Sequence, residues 1–253
     1  MIFLFRLFPF IGAVFVGAAF YIQFRRPFEY PWIVLSGALA VICGAILMSR
    51  KRIAFADLLE KMLPTAILLL ALGFASLLIE GQLGQYGIIV VGAVSSYLSL
   101  ELLFFLTFMP SRYPVHGLSR VNIAYVPFII WYSSVPSIGL ITFLHSPKWV
   151  HVALMAVLGL VLFRTTGHPE ATIEQNRRWM FVGLITGFQL GLLGIMLPLS
   201  MEAHGALAMM TFSIILRMRR FMHNPLPSLR QAWMERAGAL ILLVVIVLTS
   251  RWL

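Results

Sequence analysis

Charge is scarce in this chain. Lys, Arg, Asp and Glu together make up 11% of its 253 residues, against roughly 25% in a soluble globular domain. Acids are scarcest, with nine Asp and Glu against 19 Lys and Arg. A single cysteine, Cys43, rules out a disulfide scaffold. The signatures of several chemistries are missing from the sequence. There is no Walker loop, no Gly-x-Ser-x-Gly elbow, no His-Glu-x-x-His and no paired aspartates to hold a metal-bound pyrophosphate. No lysine stands mid-segment to carry a Schiff base. No catalytic residue, metal or cofactor is therefore assigned, and a non-enzymatic role is the leading expectation.

What is abundant is apolar. Hydrophobic residues make up 60% of the chain, and mean hydropathy is +0.94. These values predict an all-α polytopic membrane bundle. A spanning helix needs about 20 apolar residues to cross about 30 Å of hydrocarbon. Nine segments qualify: 2–24, 31–49, 62–79, 87–109, 121–144, 149–164, 179–199, 203–217 and 237–251. The count becomes eight if the first is a cleaved signal, with Val16-Gly17-Ala18 as the cleavage site. The run to Phe24 is longer than a typical signal core and favours a retained helix. The apolar runs are continuous, which excludes an outer-membrane barrel. Connections are short, so 1–253 reads as a single transmembrane domain without a soluble domain.

Orientation comes from the positive residues. One side collects Arg6, Arg50, Lys51, Arg52, Lys61, Arg112, Arg120, Arg164, Arg177, Arg178, Arg217, Arg219, Arg220, Arg230 and Arg236. The other collects Arg25, Arg26, Lys148 and Arg251. This 15-to-4 division of the 19 places the N-terminus in the cytoplasm of a plasma (inner) membrane protein. The same distribution explains the net charge of +10 without nucleic acid. It makes the lipid bilayer and its anionic headgroups the expected partners. Residues 225–236 read as a short interfacial helix.

Glu101 is the costly residue. It lies about 12 Å inside the inner end of the fourth segment, where a charge costs on the order of 3 kcal/mol. Tyr97 shares its helical face. Asn122, Tyr125, Tyr132 and Ser133 fall near one face of the next segment. The expectation is an intramembrane polar pocket between helices four and five, beside a helix interrupted by Pro127 and Pro136. The connecting loop carries Arg112, His116 and Arg120, which suit phosphate, carboxylate or lipid headgroups.

The seventh segment carries Gly183, Gly187 and Gly191 at intervals of four, followed by Gly194. This small-residue face permits close helix contact, internally or with a membrane partner or second copy. His145, His151, Glu202 and His204, with Glu80, cluster near the outer boundary, but no pair has ligand spacing within one helix. They are read as interfacial histidines. The leading functional expectation is a small transporter or accessory subunit using Glu101. The alternatives are a lipid-headgroup enzyme working through the 111–122 loop, and a structural subunit docking a partner by its glycine face.

Overall fold

A computed structural model describes residues 5–26, 30–49, 53–167, 172–197, 199–221 and 237. The described chain is helical, with no strand among those residues. The helices are α1 (Phe8–Arg25), α2 (Tyr30–Ser49), α3 (Phe55–Ala75) and α4 (Gln82–Phe108). They are followed by α5 (Gly117–Leu144), α6 (Lys148–Thr165), α7 (Ile173–Met196) and α8 (Met201–Phe221).

Seven of these, α1 to α7, are long and apolar enough to cross a membrane. The eighth expected segment, 203–217, is helical within α8 but does not join the seven. Its uncharged stretch runs only from Ala203 to Leu216 between Glu202 and Arg217, about 21 Å of helix against about 30 Å of hydrocarbon. The ninth segment, 237–251, and the interfacial helix over 225–236 lie outside the described residues, apart from Ala237.

From α2 onward, helices begin earlier than the apolar windows suggest. α7 starts at Ile173 because Thr172 and Gln175 form a reciprocal capping box. Its first turn is polar and invisible to hydropathy. α3 likewise begins at Phe55, seven residues ahead of the apolar window that starts at 62. α5 runs unbroken through Pro127 and Pro136.

Packing divides the chain into two units, Met1–Tyr125 and Val126–Leu253, with the boundary inside α5. In the first unit α1 packs on α4 and α2, and α3 packs on α2 and α4. Glycines seat large neighbours there. A Cβ at Gly92 would stand 2.6 Å from the Phe20 ring, and one at Gly73 2.5 Å from Val34. Outward faces are apolar: Val90, Val94 and Leu98 follow one another along α4 and are exposed, as a lipid-facing stripe requires.

In the second unit α6 and α7 form the closest pair. Sorting in α7 is by size rather than polarity. Gly183, Thr186, Gly187, Leu190 and Gly191 are buried, while Phe181, Ile185 and Phe188 are exposed.

Candidate functional site

The polar seam between α4 and α5 exists, and its hydrogen bonds run one way. The Tyr125 hydroxyl donates to the Ser95 carbonyl at 2.8 Å. With that proton committed, it accepts from Ser99 Oγ at 3.2 Å. Ser99 in turn accepts from Thr65 Oγ1 on α3 at 2.8 Å. Each hydroxyl donates once, giving a satisfied chain Thr65, Ser99, Tyr125, Ser95 that ties three helices. Asn122, also buried, donates from Nδ2 to the Lys61 carbonyl at 2.9 Å, leaving its Oδ1 buried without a partner.

Glu101 does not belong to this seam. It stands two residues beyond Ser99, about 200° round the helix, so the seam and the carboxylate leave α4 on nearly opposite sides. Tyr97, one turn below Glu101, packs its ring against Phe10 of α1, with centroids 5.0 Å apart. Glu101 is half-buried, and its Oε2 is buried with no hydrogen-bond partner. Tyr132 is half-buried and Ser133 is buried. Both belong to the second unit, whereas Glu101, Tyr97, Asn122 and Tyr125 belong to the first. Within the first unit, Tyr125 lies in the hydroxyl chain, Asn122 bonds the Lys61 carbonyl, and Tyr97 packs against α1.

The 111–122 loop is an ordered turn. A short 3-10 helix covers Pro110–Arg112, and the Leu118 amide donates to the Tyr113 hydroxyl at 2.9 Å as α5 begins. His116 holds a left-handed backbone, φ 55°. Arg112, His116 and Arg120 are all exposed.

The glycine face of α7 is occupied by α6. A Cβ at Gly191 would stand 2.8 Å from Val152 Cα, and one at Gly183 2.8 Å from Phe163 Cβ. At Gly187 it would overlap the Met155 carbonyl oxygen. Gly194 faces His151, whose Nε2 would be 2.8 Å from an added Cβ. A partner docked on the Gly183, Gly187, Gly191 face therefore has no surface left, because two backbones already meet there.

Three further buried polar settings stand out. Gln23 of α1 donates from Nε2 to the Gly73 carbonyl at 3.2 Å and to Ser76 Oγ, while its Oε1 is buried without a partner. Arg219 of α8 is 3% exposed. It donates to the Phe163 carbonyl at 2.6 Å and to Asn176 Oδ1 at 2.5 Å, and lies 5.7 Å over the Trp179 ring. The Phe163 carbonyl is at the C-terminal end of α6, where a cation suits the helix dipole. Burial lowers the Arg219 pKa to about 10, so it keeps its charge at neutral pH. Third, His151 and His204 are 1% and 4% exposed. Both were expected near the outer boundary, and both are covered by protein within the second unit. The remaining members of the expected outer cluster, His145, Glu80 and Glu202, are exposed. Among the described residues no three His, Cys, Asp or Glu side chains converge.

Comparison of the chain with protein-family models, curated proteins and solved structures finds no match.

Proposed function

We propose that this chain is a multi-pass protein of the plasma (inner) membrane, N-terminus cytoplasmic, that works as a small transporter or accessory membrane subunit. Glu101 is its charge-bearing group. The observation that carries this reading is the Glu101 Oε2 atom, buried and unpartnered on a membrane-length helix. A carboxylate on a membrane-length helix is costly, and an Oε2 without a donor is open to an exchangeable proton or cation. The exchangeable cation is therefore placed on the α1-facing flank of α4, beside Tyr97, and the Tyr125 chain serves as scaffold.

The test is cation flux into proteoliposomes carrying an internal pH dye, driven by an imposed membrane potential. Glu101→Gln is expected to abolish flux while leaving the folded yield unchanged. A variant that conducts normally, or one that does not fold, overturns the assignment.

Anionic lipid is the proposed partner of Arg112, His116 and Arg120, whose exposure on a fastened turn suits phosphate contact at the headgroup level. An enzyme would enclose its substrate. Exposure of all three side chains weighs against the catalytic alternative.

A further inference from the structure

Tyr97, Glu101, Phe104 and Phe108 follow one another along α4 at intervals of three and four, the spacing of one helical face. Both ends of that stripe meet α1 or the residue just ahead of it. Tyr97 packs on Phe10, and Phe108 stacks on Phe5 with ring centroids 5.1 Å apart. Between them Leu100 reaches Gly12, where an added Cβ would stand 2.5 Å from its Cδ1. Glu101 is thus level with the start of α1 and beside it. On its other flank it continues the exposed stripe of Val94 and Leu98, seven and three residues before it. A place at the border between α1 and the lipid-facing surface accounts for its half-burial.

The surroundings limit what the carboxyl can bind. From Phe8 to Phe20, α1 carries no side-chain oxygen or nitrogen. The Glu101 stripe adds only the Tyr97 hydroxyl. Titratable groups on the elements packed against α4 lie elsewhere. Arg6, Tyr21 and Arg25 of the α1 strand of the chain are exposed, and Cys43 of α2 is exposed. α3 meets α4 through Thr65 and Ser99, on the side turned away from Glu101; its Asp57 and Glu60 are exposed and its Lys61 is half-buried. Arg112 and Arg120 are exposed, and the Tyr125 hydroxyl is committed to Ser95.

Hard metal cations demand a shell of about six oxygens. Glu101 and Tyr97 supply two carboxylate oxygens and one phenol oxygen, and no three His, Cys, Asp or Glu side chains converge among the described residues. A proton needs a single oxygen, and it removes the charge that an apolar setting penalises. Resting on the reading of Glu101 as the charge-bearing group, we propose that the ion it takes up is a proton and not a metal cation, so that protons are the substrate of this site.

The experiment treats the full chain in detergent with dicyclohexylcarbodiimide, an apolar reagent that partitions into the micelle and modifies a carboxyl carrying its proton. That proton passes to one carbodiimide nitrogen while the carboxyl oxygen bonds the central carbon. The acyl group then shifts to nitrogen, leaving a stable N-acylurea from which no atom is lost. Peptide mass spectrometry of wild type is expected to find the adduct at Glu101. It should form more slowly as pH is raised, and at an unchanged rate when sodium, potassium or calcium replaces an organic cation at fixed pH and ionic strength. Glu101→Gln loses the adduct and Asp57→Asn keeps it. The deciding readout is taken on wild type, so it stands even if a variant does not fold. An adduct with this pH and cation dependence, together with normal flux in Glu101→Gln, upholds the proton site and removes the transport role. The proposal is overturned if Glu101 stays unmodified at every pH, or if a metal cation protects it.

Discussion

The α6/α7 seam supports a sharp prediction. In Gly187→Ala the new methyl would stand 2.8 Å from the Met155 carbonyl carbon and 3.0 Å from Ala156 Cα, and would overlap the Met155 carbonyl oxygen. Carbon atoms prefer about 3.5–4.0 Å, so the deficit is roughly 0.5–1.2 Å. All three neighbouring atoms are helix backbone, which no rotamer change relieves. The helices must separate, and a gap of that size forfeits a quarter to a half of each dispersion contact along the seam. Overpacking typically costs about 1–3 kcal/mol, and a backbone collision belongs at the upper end. For a chain of this size about 3 kcal/mol is a fall of roughly 6–12 °C in melting temperature, read by fluorescence in detergent. Gly87→Ala in α4 is the control: no atom lies within 4 Å of its added Cβ, and replacing a helical glycine with alanine is neutral or stabilising by up to about 1 kcal/mol. If Gly187→Ala melts with wild type, the glycine seam does not hold these helices together.

Three further outcomes are expected. Tyr125→Phe removes the acceptor of Ser99 and the donor to Ser95; at about 0.6 kcal/mol per membrane hydrogen bond, and at most about 1.7, it should cost about 1–2 kcal/mol in denaturant unfolding. Arg219→Lys should be less stable than Arg219→Met by about 1–2 kcal/mol, because lysine keeps the buried charge but cannot span both Phe163 O and Asn176 Oδ1; equal melting of the two would refute the fork. In a Cys43→Ser background, a cysteine at Ser146 should react with an impermeant maleimide added outside intact cells, and one at Tyr113 only after lysis; the reverse pattern would invert the orientation.

Helix existence was legible because it follows from long apolar runs, and segments one to seven all correspond to helices of membrane length. Their starts were less legible. The polar first turn of α7 depends on a capping box, and hydropathy discards polar residues. The seventh-segment glycines were visible because they repeat every four residues, whereas Gly73 and Gly92 do comparable work singly, each against one bulky neighbour, and an isolated glycine has no period. Glu101 stood out by its cost, but its surroundings did not. Level-matching two antiparallel helices fixes depth and leaves rotation open, and a rotation of about 200° between Ser99 and Glu101 separates the hydroxyl chain from the carboxylate.

The burial of the histidines was illegible for the complementary reason. Proximity of His151 and His204 to the ends of apolar segments argued for the headgroup region, yet both are buried. What satisfies them is close by: Ser137 on α5 and the Ser200 carbonyl each supply the acceptor that one ring nitrogen needs. None of these partners is within hydrogen-bond reach in sequence except Ser200, four residues before His204. Buried hydroxyls such as Ser96 and Thr107 need only a carbonyl of their own helix, whereas His151 depends on an acceptor that α5 presents at its level. That dependence is a property of three-dimensional register, which composition and spacing along one helix do not contain.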